Sequence, residues 1–469
     1  MALIREQLAL AVEYKTNGHT ELRDAAAAQN KSLPVHRWVP WIAGFSAQFV
    51  EDAIEGYLSK TGRGQHQVLD PFAGVGTTMV EALKAGCNTI GYEINPFAVL
   101  AARAKVNCVD LSSGGLAEQV DAFSCALERF ESEIDRQWAA GGDQAVATVL
   151  ETLGAARPSG FRSRIPFFSP PIEAKFLYAL GWAAALPETD RTLFRAALGA
   201  TMVSYSNYSY EPSLSSRPGA GKPVIENASV VVPVCRKLDE MLEDIDWAQA
   251  KFGTLWRARQ REAVHASYFN SKVPAGSVSL VITSPPYMNN YHYVRNTRPQ
   301  LHWLGLVDGA DDLRQCEQES FGKFWQTVRQ APPIELGFDF PELAEKIRHL
   351  RGLNVGRGPY GGPGWANYVT SYFNDSHRFL GLVKRQLRSG GHAIIVIGNS
   401  IIQGVEFKVD HLLAEMAEQH GLEVEGIQIV RKKRVGNSII DSSVRNGHDH
   451  QDKRKTQLYD AALILRDRS

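Results

Sequence analysis

The stretch QVLDPFAGVGTTMVEALKAGCNTIGYEINP, residues 67–96, decides the fold. An apolar pair, Val68-Leu69, ends at Asp70-Pro71, and Gly74 and Gly76 follow at once. Met79, Val80 and Leu83 then recur at helical spacing as far as Gly86, a good helix stop. A second β-prone run over 89–92 closes on Glu93. Strand, glycine turn, helix, strand is the opening of a parallel α/β sheet. Such sheets hold ligands beyond the carboxyl ends of their strands, where Gly74, Gly76 and Glu93 fall.

The chemistry of that turn narrows the ligand. Gly74 and Gly76 lack a Cβ and so permit close backbone approach. A carboxylate at Glu93 can accept hydrogen bonds from both hydroxyls of a ribose. A dinucleotide fingerprint would place a third glycine three residues after Gly76, but Met79 stands there. Asp70-Pro71-Phe72 ahead of the glycines is equally unsuited to pyrophosphate. These residues point to an adenosyl ligand without phosphates, S-adenosylmethionine being the natural candidate. A purely structural glycine turn is the competing reading, and a nicotinamide oxidoreductase the weaker one.

The totals set outer bounds. The chain has 469 residues, 44% hydrophobic and 22% charged, ordinary for a globular protein. Lys+Arg and Asp+Glu both number 51, so a nucleic-acid partner would have to be held by a local basic patch. Cys87, Cys108, Cys125, Cys235 and Cys316 form no C-x-x-C pair, which argues against a disulfide framework or structural zinc and fits a cytoplasmic location. Residues 1–15 mix charges among apolar residues, unlike a signal peptide, and no apolar run approaches the ~18 residues of a membrane span.

Composition and periodicity divide the chain. Residues 1–31 read as a peripheral helical extension, 32–110 as the cofactor-binding half of the core, and 111–258 as a helical insertion. In the insertion Leu116, Val120, Phe123, Leu127, Phe130, Ile134 and Trp138 make an amphipathic stripe. Further helices are expected over 172–186, 189–205 and 229–252, with an irregular loop over 206–223. The core resumes over 259–307 with strands expected at 263–267 and 278–283. A second insertion, 308–365, ends in the glycine-rich 352–364, which reads as a lid or a flexible link. The core closes over 366–469: helix 368–387, a buried strand through HAIIVIGNS, helix 409–420, and two strands flanking a polar segment rich in Lys and Arg.

A second motif supplies the reaction. VITSPPYMNNYHY, residues 281–293, runs an apolar strand into Ser284-Pro285-Pro286-Tyr287. Proline lacks the N–H that a sheet ladder needs and restrains its predecessor, so the strand must end there. Taken with the glycine turn, the segment resembles the DNA amino-methyltransferases, whose motif is [DNS]-P-P-[YFW]. The serine form is typical of those that methylate cytosine N4. Residues 36–54 resemble the segment that encloses the cofactor, GYEINPFAVLAARAKV the ribose-binding motif, and GGHAIIVIGNSIIQG the strand beside the catalytic loop.

The resemblance implies a Rossmann-like methyltransferase sheet with helices on both faces, interrupted by the two insertions. It implies S-adenosylmethionine as cofactor, held by Asp70, Phe72, Gly74, Gly76, Thr77, Glu93, Asn95 and Thr283. Ser284, Pro285, Pro286 and Tyr287 would position a base flipped out of double-stranded DNA. Adenine N6 or an RNA base is the alternative target, and an inactive nucleic-acid-binding protein on the same scaffold is the alternative class. C5-cytosine chemistry would need a Pro-Cys pair, which the chain lacks. Relatives often carry an acidic residue near the adenine, where this chain has Ser267. Arg217 and Lys222, with Arg431, Lys432, Lys433 and Arg434, are the candidate phosphate contacts. Gly447-His448-Asp449-His450 reads as loop, and no metal site is expected. A cognate restriction endonuclease or a defence system is the expected partner; the oligomeric state stays open.

Overall fold

The computed structural model describes residues 21–41, 44, 46–153, 163–210, 213–289, 291, 293–432, 439–440 and 458–469. Seven strands form one sheet: β1 Gln67–Asp70, β2 Asn88–Glu93, β3 Arg261–His265, β4 Val278–Thr283, β5 Leu387–Gly398, β6 Leu422–Lys432 and β7 Tyr459–Asp467. Their order is β6-β7-β5-β4-β1-β2-β3. The five strands from β5 to β3 are mutually parallel, and β7 lies antiparallel between β5 and β6. The order reverses between β1 and β4, which makes that junction the switch point where a crevice opens.

The central strands read as continuous apolar runs because both faces are covered. Val68, Leu280, Ile282, Ile394 and Val396 pack on one side with Phe49, Val50 and Ile54 of α1 (Ala47–Tyr57). Their neighbours Leu69, Val281, Ala393, Ile395 and Ile397 belong to the core on the other side. Gly76, with φ at +84°, turns the chain into α2 (Thr77–Lys84). Asn95 then caps α3 (Pro96–Val106) by accepting from the amides of Phe97 and Ala98.

The first insertion is helical: α4 (Ser113–Leu153), α5 (Pro170–Ala184), α6 (Glu188–Thr201) and α7 (Val231–Arg257). Its interior is continuous with the core around α3. Gly199 of α6 leaves room for Phe97 of α3, since a Cβ there would lie 2.3 Å from the ring. Asp244 of α7 ties the insertion to the segment ahead of β1, accepting from the Val35 amide at 2.8 Å and the Trp38 indole at 2.8 Å. After β4 come α8 (Tyr293–Trp303), α9 (Ala310–Glu319), the single turn α10 (Trp325–Val328), α11 (Pro341–Gly352) and α12 (Gly362–Gln386), and after β5 comes α13 (Val409–Gln419).

Three expectations change. The strand expected at 263–267 is β3, two residues earlier, because the Thr89 amide already bonds the Gln260 carbonyl at 2.9 Å. Of the glycine-rich 352–364, expected as a lid or a flexible link, residues 355–360 form a largely exposed 3-10 turn, while Gly361, Gly362 and Gly364 are buried at the start of α12. A Cβ on Gly361, Gly362 or Gly364 would come within 2.1, 2.0 or 1.9 Å of backbone carbonyl oxygens. Of the extension over 1–31, the described part holds a short 3-10 helix, Ala27–Lys31, and the rest lies outside the described residues. No described helix is long and apolar enough to cross a membrane.

One bond closes the switch point: the Thr283 hydroxyl donates to Asp70 Oδ1 at 2.7 Å, with both residues fully buried. Thr283→Val strips a donor from a buried carboxylate and is expected to cost about 1–3 kcal/mol. A lower urea midpoint at unchanged m-value would report it, and an unchanged midpoint would contradict it.

Candidate functional site

The turn after β1 is built on Asp70. Its Oδ1 also accepts the Phe72 amide at 3.0 Å, which folds Pro71-Phe72 back over the strand end. Burial pushes this carboxyl up to about 6, against the hydrogen bonds of Thr78, Thr283 and the Phe72 amide. Gly74, with φ at +50°, donates its amide to Glu93 Oε2 at 2.9 Å. A Cβ on Gly74 would come within 3.1 Å of the Trp41 indole nitrogen, so the glycine lets that ring close over the turn.

Glu93 stands at the end of β2 and faces the crevice. Its other oxygen accepts the Asn95 amide at 2.8 Å. Loss of water raises its carboxyl to about 7, opposed by the amides of Asn95 and Gly74 and reinforced by the Asp70 charge. Asn95 reaches across to α8, donating to Thr297 Oγ1 at 2.8 Å.

From β4 the chain enters the crevice on its other side. The Ser284 hydroxyl donates to the Val396 carbonyl of β5 at 3.2 Å, so its proton is committed and its lone pairs remain to accept. Tyr287 lies against Gly398, where a Cβ would come within 3.2 Å of the ring. The rings of Phe321 and Phe379 stand 5.1 and 5.5 Å from that of Phe72, closing the far wall.

One cleft gathers these groups. Phe72, Gly74, Glu93 and Asn95 line one part, and Ser284, Pro286 and Tyr287 another. Asp70, Gly76, Thr77, Thr283 and Pro285 are buried and are not part of the lining. The cleft is open to solvent at its mouth and, with that mouth, encloses about 1170 Å³. Ser267 lines it, followed by Tyr268 and Phe269.

Some of the lining had no signal near the motifs. Tyr268-Phe269 could have been suspected as an aromatic pair just past a strand end. Glu317 and 319–324 belong to the second insertion and reach the cleft only through the fold.

Among the basic candidates, Arg217 and Lys222 follow a small hairpin, Tyr208–Tyr210 with Leu214–Ser216. Arg217 donates its Nε to the Pro223 carbonyl at 2.8 Å, closing that turn, and Lys222 is exposed. Arg431 and Lys432 are exposed at the end of β6. Lys433, Arg434 and residues 447–450 lie outside the described residues.

Comparison with known proteins accords with this architecture. A DNA methylase family model, N6/N4 type, matches residues 23–104, which contain the glycine turn and Glu93. The type II methyltransferase M.BsoBI of Geobacillus stearothermophilus is 25% identical over 439 residues, covering 87% of this chain and 82% of its own length. M.AvaI of Nostoc sp., also a type II methyltransferase, is 23% identical over 420 residues, covering 86% and 82%. M.MjaII of Methanocaldococcus jannaschii, a third, matches 88 residues at 33% identity, 19% of this chain.

Residues 23–104 thus carry an N6/N4 DNA methylase match, and over most of its length the chain is distantly similar to the type II methyltransferases M.BsoBI and M.AvaI. It is a DNA methyltransferase of the N6-adenine/N4-cytosine type, and its methyl donor is S-adenosylmethionine. The crevice suits that donor: Gly74 permits close approach, Glu93 offers a carboxylate at a strand end, and Phe72 and Trp41 offer aromatic walls.

The buried carboxyl of Asp70 and the half-buried one of Glu93 both titrate higher folded than unfolded. The stability they contribute is therefore full below about pH 4, and is lost as pH rises through about 6 for Asp70 and about 7 for Glu93. Glu93→Gln removes the second of these. The Tm difference between variant and wild type should shift in favour of the variant between about pH 4 and pH 8. A pH-independent difference in scanning fluorimetry would contradict the assignment.

Proposed function

We propose that this methyltransferase transfers its methyl group to the exocyclic N4 of a cytosine flipped out of double-stranded DNA. The observation that carries this is the opening of Ser284, Pro286 and Tyr287 into the same cleft as Gly74 and Glu93. A target amine and an adenosyl group seated there would be neighbours across the switch point.

The bound donor supplies an electrophilic methyl on a sulfonium. The residues of the chain do the rest by placement. Glu93 takes the ribose hydroxyls, Phe72 and Trp41 flank the adenosyl group, and Asn95 keeps the end of β2 in register with α8. Asp70, Thr283, Gly76 and Thr77 hold the turn from behind.

An exocyclic amine is a weak nucleophile because its lone pair is shared with the ring. Ser284 Oγ, with its own proton given to Val396, accepts one amino hydrogen, and the Pro285 carbonyl accepts the other. Those bonds draw the nitrogen toward tetrahedral geometry and aim its lone pair, and alignment of this kind is a large source of rate. Pro286 stiffens the loop. Tyr287 stacks on the base, worth ~1–3 kcal/mol for such a contact. The base must leave the duplex to reach this depth.

Arg217, Lys222, Arg431 and Lys432 are the phosphate contacts in this reading, joined by Lys433 and Arg434. The first insertion supplies target recognition. The likeness to type II methyltransferases supports a cognate restriction endonuclease as functional partner.

Nucleoside mass spectrometry on unmethylated DNA treated with protein and donor is the direct test. N4-methylcytosine is expected; N6-methyladenine would keep the site and replace the base. Ser284→Ala should leave donor affinity nearly unchanged and slow transfer at least ~10-fold, about 1.4 kcal/mol of barrier. Wild-type turnover in that variant would remove Ser284 from the chemistry.

A further inference from the structure

Asn296, in α8 directly after the catalytic loop, is only 6% exposed and joins two parts of the molecule that the sheet does not connect. Its Nδ2 donates to the Tyr291 hydroxyl at 2.6 Å. Its Oδ1 accepts the Leu214 amide at 2.9 Å, and its carbonyl accepts the Tyr210 hydroxyl at 2.9 Å. Tyr291 lines the cleft with Ser284 and Tyr287. Tyr210 and Leu214 belong to the small hairpin of the first insertion, whose following turn carries Arg217 and Lys222.

The hairpin faces outward while its anchor is buried. The Tyr210 residue is 40% exposed, yet its hydroxyl is committed to α8, where Gln300 also donates to it at 3.3 Å. The next residue along α8 from Asn296, Thr297, takes the bond from Asn95 beside Glu93. One turn of helix thus receives the hairpin, the catalytic-loop tyrosine and the donor end of the cleft. An amide with both its oxygen and its nitrogen engaged passes a displacement of one partner to the other. A side chain with a single bond would let the two move independently.

We propose that Asn296 is a positioning residue that couples the seating of target DNA on the hairpin to the placement of Tyr291 against the extruded base. The coupling rests on the base-methylation reading of the cleft and goes beyond it by making that cleft responsive to a remote contact. DNA held at Arg217 and Lys222 fixes the hairpin strands; the strands fix Asn296; Asn296 orients the Tyr291 ring. Without DNA the same bonds are free to exchange, and the loop is less well ordered for turnover.

The test uses duplex DNA with 2-aminopurine at the position that the wild type methylates, whose fluorescence rises when the base leaves the stack. Asn296→Ala is expected to lower that rise and kcat about tenfold while donor Kd stays within about twofold. Tyr291→Phe removes only the hydroxyl, avoids disturbing the hairpin, and should reproduce the loss in kcat. Because both act through one bond, the double variant should be no slower than the worse single variant. Wild-type flipping and turnover in Asn296→Ala, or losses that multiply in the double variant, would overturn the coupling. Should Asn296→Ala lose donor binding through misfolding, Tyr291→Phe decides: wild-type kcat there is equally fatal. Ser284→Ala run alongside separates the two readings. If it turns over normally, the assignment of the cleft fails; if it is slow while the Asn296 and Tyr291 variants are normal, only the coupling fails.

Discussion

The hydrogen bond from Thr283 to Asp70 joins the ends of the two strands between which the sheet reverses its order, and the site depends on it. From Asp70 the chain turns into the glycines, and the Gly74 amide bonds Glu93 on one side of the cleft. From Thr283 it enters Ser284-Pro285-Pro286-Tyr287, which lines the cleft through Ser284, Pro286 and Tyr287. The spacing of the two cleft walls is therefore set by a contact between two buried residues that do not line the cleft. Placing a carboxylate there is unfavourable, as its raised titration shows, and Glu93 nearby adds a second such cost. Two desolvated carboxylates under one crevice are tolerated because backbone amides and hydroxyls reach them, which also makes their geometry rigid.

The two insertions enter the site in different ways. The second supplies wall: Phe321 meets Phe72 edge-on, and the Gly322 amide is held by Asp375 of α12 at 2.9 Å, so the segment is anchored in the core as it lines the cleft. The first contributes through α8 and the hairpin bound to it, while its helices pack on α3.

Much of the fold could be read directly. Val278–Thr283 has the bounds that its β-prone run suggests, because the strand is buried on both faces, its polar Ser279 and Thr283 included, and the prolines stop it. The glycine turn was legible because backbone sterics are local: Gly74 and Gly76 both adopt positive φ. The glycine-rich 352–364 misled for the same reason. Glycine along the chain looks identical whether a Cβ would meet nothing, as at Gly352, Gly356 and Gly358, or would collide with carbonyl oxygens, as at Gly361, Gly362 and Gly364.

The sequence by itself determined the strand–turn–helix opening, the adenosyl donor it suits, the end of a strand at the proline loop and the likeness to DNA amino-methyltransferases that these carry. Each of these is written in residues adjacent along the chain, where torsional limits and side-chain chemistry act over a few positions. Only the tertiary structure decided that Asp70 and Thr283 brace each other, that Ser284 gives its proton to Val396, and that Phe321 and Asn296 stand at the site at all. Those are contacts across tens to hundreds of residues. Their partners are chosen by how buried surfaces close around polar groups that must each find a bond, and no local pattern records that choice.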